Sequence, residues 1–404
     1  MRTRKSRSLR GFTVVELMIS LCVGGIAISS LYAVGAASTR HFREQQRIST
    51  TQSSLRSAMN QLKRDFARAG YLATPNASVN GEWCGSAPTA PLNDSNAALG
   101  QGRLAAISAF HKAVAIPESL DPDGLNSTFA VVDDVILMGN YATSGEYMDV
   151  QIAPDQKTFT IPTTTQSFTR DFTNWYAADG KAAGACSDVA LQTAFPTGRL
   201  VRVRNRADTN GFGQVARAVC STATPTALIE LKTQINGCNP TGGWISPINT
   251  IRYHVENAGD QEKSRVTIGD VNRVSVLRRT EVDPSDKTKQ LEVTESGVPR
   301  AVDDRAVLDY VVRFNVEFLM HANGAPRNMI LTPAPEGNVQ ANPEFIRGAI
   351  IELAARTAEH EPDMDVSLST ARLPPFRVFR TQGAARTRSL RAELFLPNIA
   401  YEGY

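Results

Sequence analysis

Histidine and cysteine are scarce in this 404-residue sequence, and the few present form no recognisable site. The sequence contains neither a Cys-x-x-Cys pair nor a close pair of histidines, so it lacks the ligand spacing of a zinc site. It also shows no Ser/His/Asp or Cys/His arrangement typical of nucleophilic catalysis. We therefore expect a protein that is not an enzyme and that needs no metal or other cofactor.

The sequence also lacks a strong excess of either charge. Its 43 Lys and Arg residues nearly balance 40 Asp and Glu residues, which leaves a formal net charge of +3. The first ten positions are an exception, because they hold five basic residues and no acid: Arg2, Arg4, Lys5, Arg7 and Arg10. Since the remainder is close to neutral, we expect no binding to nucleic acid.

Proline is absent from Met1 to Thr74, and charge is almost absent from Phe12 to Ala37, where Glu16 is the sole charged residue. At about 1.5 Å per helical residue this run reaches roughly 39 Å, more than the hydrocarbon thickness of about 30 Å. Residues 12–37 are therefore predicted to form a transmembrane helix. Basic residues beside a span stay in the cytoplasm, so the C-terminal part is expected in the periplasm.

Glu16 is unusual at the start of such a span. A carboxylate in the apolar part of a bilayer costs a few kcal/mol even on lenient scales, which indicates a partner or a purpose. A cut after Gly11 would create an α-amino group on Phe12. Because Phe12 and Glu16 are four residues apart, they share one helix face, and the amine of a neighbouring copy is a suitable partner for Glu16.

The residues from Gly11 to Leu17, GFTVVEL, resemble the class III leader and cleavage site of type IV pilins and pseudopilins. The resemblance implies that residues 1–11 are a leader, which a prepilin peptidase removes by cutting after Gly11. It also implies that Phe12 is then N-methylated and that Glu16 directs assembly. The alternative is an ordinary single-span anchor that happens to carry this sequence.

After Ala37 the sequence becomes polar but keeps an apolar stripe at helical spacing. The stripe consists of Ile48, Leu55, Met59, Leu62 and Phe66. Residues 38–72 are therefore predicted to continue the helix as an amphipathic half that ends near Gly70 and Tyr71. We expect Leu55, Met59, Leu62 and Phe66 to pack on a head formed by residues 73–404. A homodimeric coiled coil is less favoured because fewer than four clean heptads are present.

The head is predicted to be rich in antiparallel strands, since short runs alternate between apolar and polar residues. The predicted strands are residues 129–138, 147–152, 158–161, 200–203, 214–220, 227–231, 251–256, 312–318, 346–355 and 390–396. Residues 74–128 and 162–198 are predicted to be irregular, and Asn210-Gly211 to form a hairpin turn. The predicted fold class is thus α+β and pilin-like, with a long N-terminal helix packed on a large antiparallel head.

Four cysteines fall in the predicted head and Cys22 in the predicted span. An even number in an oxidising compartment predicts two disulfides among Cys84, Cys186, Cys220 and Cys238, with Cys22 left free. Three pairings are possible. Cys220 with Cys238 and Cys84 with Cys186 are favoured, because the first pair brackets a short segment with Pro and Gly.

Beyond the leader, the sequence resembles the minor pilins of the PilW family. Residues 61–71 (QLKRDFARAGY) are similar to the segment that ends the helix in that family, and residues 307–318 and 347–356 to its paired C-terminal strands. The closing residues, RAELFLPNIAYEGY, depart from the family's short ending.

This resemblance implies a type IV pilus subunit that joins other minor pilins in a tip complex and initiates pilus assembly. The implied partners are the prepilin peptidase, the major pilin, other minor pilins and a large PilY-type adhesin. The implied location is first the inner membrane and then the pilus tip at the cell surface. Two alternatives remain, a J-type pseudopilin of type II secretion and a membrane-anchored periplasmic enzyme.

Two acidic segments have some features of calcium loops. Residues 121–126 (DPDGLN) place oxygen ligands at alternate positions, but the acid that completes such a loop is missing. Residues 360–365 (HEPDMD) are similarly acidic. Both are predicted to be ordinary exposed loops.

Overall fold

The structure is a computed structural model. It describes residues 12–74, 104–110, 132–173, 185–221, 224–235, 241–258, 274–295, 298–321, 331–333, 338–339, 342–358, 376–379 and 383–401. The chain divides into two units, Met1–Gln52 and Ser53–Tyr404. The leader and Gly11 lie outside the described residues.

A long helix, α1 (Val14–Ala67), dominates the N-terminal part of the chain. The predicted helix is therefore present, although it ends a few residues before Tyr71. Short helices in the described residues after α1 include α2 (Gln166–Phe172), α3 (Asp188–Ala194) and α4 (Pro397–Tyr401).

The described strands are nineteen in number and pair antiparallel throughout. In chain order they are β1 (Ile107–Phe110), β2 (Asp134–Gly139), β3 (Tyr147–Ile152), β4 (Thr158–Pro162), β5 (Leu200–Arg204), β6 (Asn210–Cys220), β7 (Thr226–Leu231), β8 (Gly243–Asn257), β9 (Ser275–Asp283), β10 (Asp286–Gln290), β11 (Glu292–Glu295), β12 (Val298–Ala301), β13 (Asp304–Asp309), β14 (Val311–His321), β15 (Leu331–Pro333), β16 (Ile346–Arg356), β17 (Phe376–Phe379), β18 (Gly383–Ala385) and β19 (Thr387–Phe395). A long N-terminal helix with antiparallel sheets confirms the predicted α+β fold class.

The main core lies among the second half of α1 and two sheets. One sheet continues from β1 through β2 and the second half of β8 to β9 and β13, while the other has the order β15-β14-β16-β19. Apolar side chains from both sheets and from α1 form one buried cluster. The C-terminal strand pair expected from the resemblance is present, with Phe314 of β14 opposite Leu353 of β16.

The strand β8 also belongs to a second assembly. Its first half pairs with β3 and β5, and the pairs β3–β4, β4–β7, β7–β6 and β6–β5 complete a ring. Six antiparallel strands therefore close into a small barrel. The barrel has its own apolar core, and Phe168 and Phe172 of α2 and Leu191 of α3 contribute to it.

The barrel is inserted between two neighbouring strands of the main sheet. The pairing of β2 with β8 ends at Gly139 opposite Asn249, and the barrel strands occupy the sequence between these positions. A buried ion pair joins the two parts, because Arg199 before β5 contacts Glu281 of β9 at 2.6 Å. The barrel is thus a large insertion between β2 and the second half of β8, which pair with each other in the main sheet.

Three local predictions were wrong. Residues 74–128 are not wholly irregular, since they include β1, which pairs with β2. Asn210 and Gly211 lie in β6, and the turn before them is made by residues 205–209, where the Asn205 side chain accepts hydrogen bonds from the backbone of Ala207 and Thr209. Residues 162–198 are not wholly irregular, since they include α2 and α3, whose buried phenylalanines and leucine pack into the barrel.

Candidate functional site

The first candidate site is the apolar half of α1. Its large side chains are exposed, for example Leu17 at 55% and Leu31 at 72%. Among the described residues, α1 is the one helix that is long and apolar enough to cross a membrane. Its hydroxyl groups donate hydrogen bonds to carbonyls of the same helix: Ser20 to Glu16, Ser29 to Gly25, Ser30 to Ala27 and Thr39 to Gly35. Such internal hydrogen bonds are what a hydrocarbon environment demands of a spanning segment.

At the start of α1, Thr13 and Glu16 form a reciprocal cap. Glu16 Oε2 accepts hydrogen bonds from the backbone N–H and the hydroxyl of Thr13, both at 3.0 Å, and the Glu16 N–H donates to Thr13 Oγ1 at 3.2 Å. This is a capping box, and the Thr-x-x-Glu spacing that encodes it was present in the sequence. Sequence reasoning assigned Glu16 a partner on another chain and missed this partner on its own helix.

The capping box leaves part of Glu16 available. Both hydrogen bonds from Thr13 end on Oε2. Within the described part of the chain Oε1 accepts no hydrogen bond, and the whole residue is exposed. Phe12, the predicted new N-terminus, is 79% exposed. The carboxylate can thus hold its own helix start and still receive a cation from outside.

The second candidate site is the anchor that joins the end of α1 to the sheets. Leu55, Met59, Leu62 and Phe66 are all at most 4% exposed and belong to the main core. The Phe66 ring stacks near Phe318 of β14, with 6.4 Å between centroids. Burying a side chain of this size contributes about 1.5 to 3 kcal/mol.

A polar cluster lies beside this apolar contact. It consists of Asp65, Tyr253 and Arg279, and we call it the polar lock. Asp65 Oδ2 accepts hydrogen bonds from the Tyr253 hydroxyl and from Arg279 Nε, both at 2.6 Å. Tyr253 and Arg279 are direct partners across β8 and β9, so one carboxylate of the helix bridges two strands. Arg279 also pairs with Asp303, and the Tyr141 hydroxyl donates to the Asp65 carbonyl at 2.8 Å.

The electrostatics of this lock keep each group in its hydrogen-bonding form. Burial, followed by the Asp65 carboxylate, raises the pKa of Tyr253 and of Tyr141, so both phenols remain donors. Burial alone would lower the pKa of Arg279, but Asp65 and the two tyrosines raise it overall. The guanidinium therefore stays charged beside its carboxylate.

The residues RAGY, from Arg68 to Tyr71, turn the chain at the end of α1. Gly70 has φ of +79° and donates its N–H to the Met138 carbonyl at 2.8 Å. Arg68 donates to the Thr143 carbonyl at 2.7 Å, and its guanidinium lies 5.5 Å from the centre of the Tyr71 ring. Glycine accepts such a left-handed conformation without strain because it has no Cβ atom. This segment therefore fixes the helix end on β2.

A substitution at Gly139 tests how closely the end of α1 approaches β2. A Cβ atom at Gly139 would lie 2.6 Å from the Arg68 carbonyl oxygen, so Gly139→Ala should force the helix end away from β2. We expect the free energy of unfolding to fall by about 1 to 3 kcal/mol. Urea unfolding of the full chain measures this loss. We expect a lower urea concentration at the midpoint and an unchanged dependence of the free energy of unfolding on urea.

Gly145→Ala is the matched control. A Cβ atom there has Arg170 Nη2 as its nearest neighbour at 3.9 Å, so we expect a change within about 0.5 kcal/mol. Equal losses for the two variants would show that the contact between Gly139 and Arg68 does not hold the helix end.

The disulfide differs from the favoured pairing, which was wrong. Cys186 is bonded to Cys220, and Cys22 is the free cysteine of the described residues. The cause is the packing of α3 on β6, where Asp188 Oδ1 accepts the Cys220 N–H at 2.7 Å and so brings the two cysteines together. Cys84 and Cys238 lie outside the described residues.

The two acidic segments at 121–126 and 360–365 also lie outside the described residues. Within the described ranges, no group of three or more His, Cys, Asp and Glu side chains is placed to hold a metal ion.

The comparisons with known proteins find similarity among solved structures, although not among protein families or curated proteins. The sequence matches no protein-family model and no curated protein. Among solved structures, the chain is similar to a type IV-like pilin from Thermus thermophilus, with 14% identity, a TM-score of 0.17, and coverage of 53% of this chain and 92% of the other. So low a TM-score carries no argument, and the assignment to the α+β class rests on the helix and sheets described above.

Proposed function

We propose that this protein is a pilin-type subunit, and more narrowly a minor pilin of a type IV pilus of the PilW kind. The observation that carries the proposal is the start of α1, where Glu16 is the sole charged residue of an exposed apolar segment. In this proposal a prepilin peptidase cuts after Gly11 and Phe12 is N-methylated. Before assembly, the chain is anchored in the inner membrane with its head in the periplasm.

In assembly, Glu16 receives the Phe12 amine of a neighbouring subunit. Oε1 is the available oxygen, since Oε2 accepts from Thr13. An ion pair at the edge of an apolar environment is stronger than one in water, because less solvent screens it. Pairing therefore selects subunits whose apolar segments lie side by side at matching depth.

The size of the head supports a place at the tip. The inserted barrel adds bulk that a shaft subunit would have to fit at every helical repeat, whereas a tip subunit meets fewer neighbours. The proposed partners are other minor pilins, the major pilin and a PilY-type adhesin, at the cell surface. No catalytic role is proposed.

A J-type pseudopilin of type II secretion is the second candidate, because it would share the same N-terminal segment. Deleting the gene and measuring two outputs separates the candidates. The minor-pilin proposal predicts loss of sheared surface filaments with normal protein secretion. Loss of secretion with normal surface filaments would favour the pseudopilin.

A further inference from the structure

We infer that the segment of α1 just beyond the apolar run, Ser38 to Arg47, binds the headgroups of anionic phospholipids and sets the depth of the helix in the membrane. The inference rests on the proposed membrane placement and adds a partner to it. Its basis is the distance between the charges at the two ends of the apolar run, together with their exposure.

The apolar run has the length of a bilayer when it is measured between charges. Leu17 to Ala37 contains 21 residues without a charge. At about 1.5 Å per residue they span about 31 Å, which matches the hydrocarbon thickness of about 30 Å. If Ala37 lies at one border, Glu16 lies at the other. The next charged residues, Arg40 and Arg43, then stand about 5 to 9 Å past the border, at the level of the headgroups.

The side chains in this segment suit an anionic lipid surface. Arg40, Arg43 and Arg47 are spaced at i, i+3 and i+7, which places them on one helix face, and all three are exposed. Glu44 is the one acid between Ser38 and Gln52, so the segment keeps a positive charge. Phe42 is 67% exposed, and an aromatic ring at this level is typical of membrane interfaces. Guanidinium groups bind phosphate through two parallel hydrogen bonds, which favours a phosphate headgroup as the occupant.

Binding at this level has a mechanical consequence. If the arginines hold the helix at headgroup depth on the periplasmic side, Glu16 stays at the cytoplasmic border and out of the hydrocarbon. Without them the helix can sink by several residues, and the carboxylate then moves into the apolar region or the helix tilts.

The test measures lipid selectivity of the unassembled chain. The full chain is reconstituted in phosphatidylcholine vesicles with either spin-labelled phosphatidylglycerol or spin-labelled phosphatidylcholine, and the motionally restricted fraction of each lipid is compared. We expect the wild type to prefer phosphatidylglycerol. We expect the double variant Arg40→Gln/Arg43→Gln to lose at least fivefold of that preference, since one basic residue near an anionic surface is worth about that factor.

The control removes two charges elsewhere on the same helix. Arg56 and Lys63 are exposed and lie beyond the headgroup level, so Arg56→Gln/Lys63→Gln should keep the preference. An unchanged preference in the Arg40/Arg43 variant would overturn the inference, and a filament defect in that variant would then assign the arginines to a neighbouring subunit. The readout needs no pilus, so a failure of the pilin proposal remains distinguishable from a failure of this one.

Discussion

Replacing Glu16 with alanine is expected to abolish incorporation into filaments while leaving the head folded. The variant removes the proposed acceptor for a neighbour's Phe12 amine and removes a charge that resists membrane insertion. Glu16 is exposed and is not among the buried residues of the main core. The variant is expressed in a strain lacking the native gene, and sheared surface filaments and co-purified pilins are then measured.

Two further variants separate charge pairing from helix capping. Ser20→Ala removes a nearby hydroxyl that donates to the Glu16 carbonyl at 2.7 Å but keeps the carboxylate, so incorporation should be normal. Thr13→Ala breaks the capping box at a cost of about 1 kcal/mol and also keeps the carboxylate, so incorporation should persist. Wild-type filaments from the Glu16→Ala strain would show that charge pairing is not needed by this subunit.

Asp65→Ala should strongly destabilise the head. It leaves Arg279 with Asp303 alone and deprives the buried Tyr253 hydroxyl of its acceptor. Each buried donor left without its acceptor, the Tyr253 hydroxyl and Arg279 Nε, costs about 1 to 3 kcal/mol. Urea unfolding of the full chain, monitored by tryptophan fluorescence, measures this loss.

The matched pair of variants is Asp65→Asn and Asp208→Asn, which make the same chemical change at a buried and an exposed carboxylate. The Asp208 side chain is 76% exposed and contacts Arg204 at 3.0 Å. An exposed ion pair contributes less than about 1 kcal/mol, so Asp208→Asn should be nearly neutral. If Asp65→Asn were equally mild, the polar lock would not hold α1 to the sheets.

Much of the main fold was predictable because its signals are local. The stripe of Leu55, Met59, Leu62 and Phe66 follows the period of a helix, and these residues are buried against the sheets. Alternation likewise predicted β14, and an apolar run predicted β16. Their pairing has the register of a regular antiparallel ladder over most of its length. Periodicity reports which side chains face a core, whatever that core contains.

The pairing of distant segments was not predictable in the same way. Cys220 and Cys238 are close in sequence, but β7 leads away from Cys220, which is opposite Ala227, and ends at Leu231 opposite Val215. Cys186 reaches Cys220 because α3 packs on β6. The closure of the barrel was also not predictable from local patterns, because it depends on the pairing of β8 with both β3 and β5.

Asp65 was missed for a different reason. A single acid beside an apolar stripe usually faces water, and no local pattern distinguishes the rare one that is buried. Its partners Tyr253 and Arg279 are about 190 and 210 residues away in the chain, so the sequence alone does not connect them. The Arg68 to Tyr71 segment was recognised by resemblance, and its contacts with Met138 and Thr143 supply the physical reason for it.

The mature N-terminus tests the central proposal most directly. The chain is purified from membranes and from sheared filaments, and the mass of its N-terminal peptide is measured by mass spectrometry. The proposal predicts a peptide that begins at N-methylated Phe12, and retention of the leader in a Gly11→Val variant, whose branched side chain obstructs the peptidase. A wild-type chain that begins at any residue other than Phe12 would contradict the assignment to the pilin class.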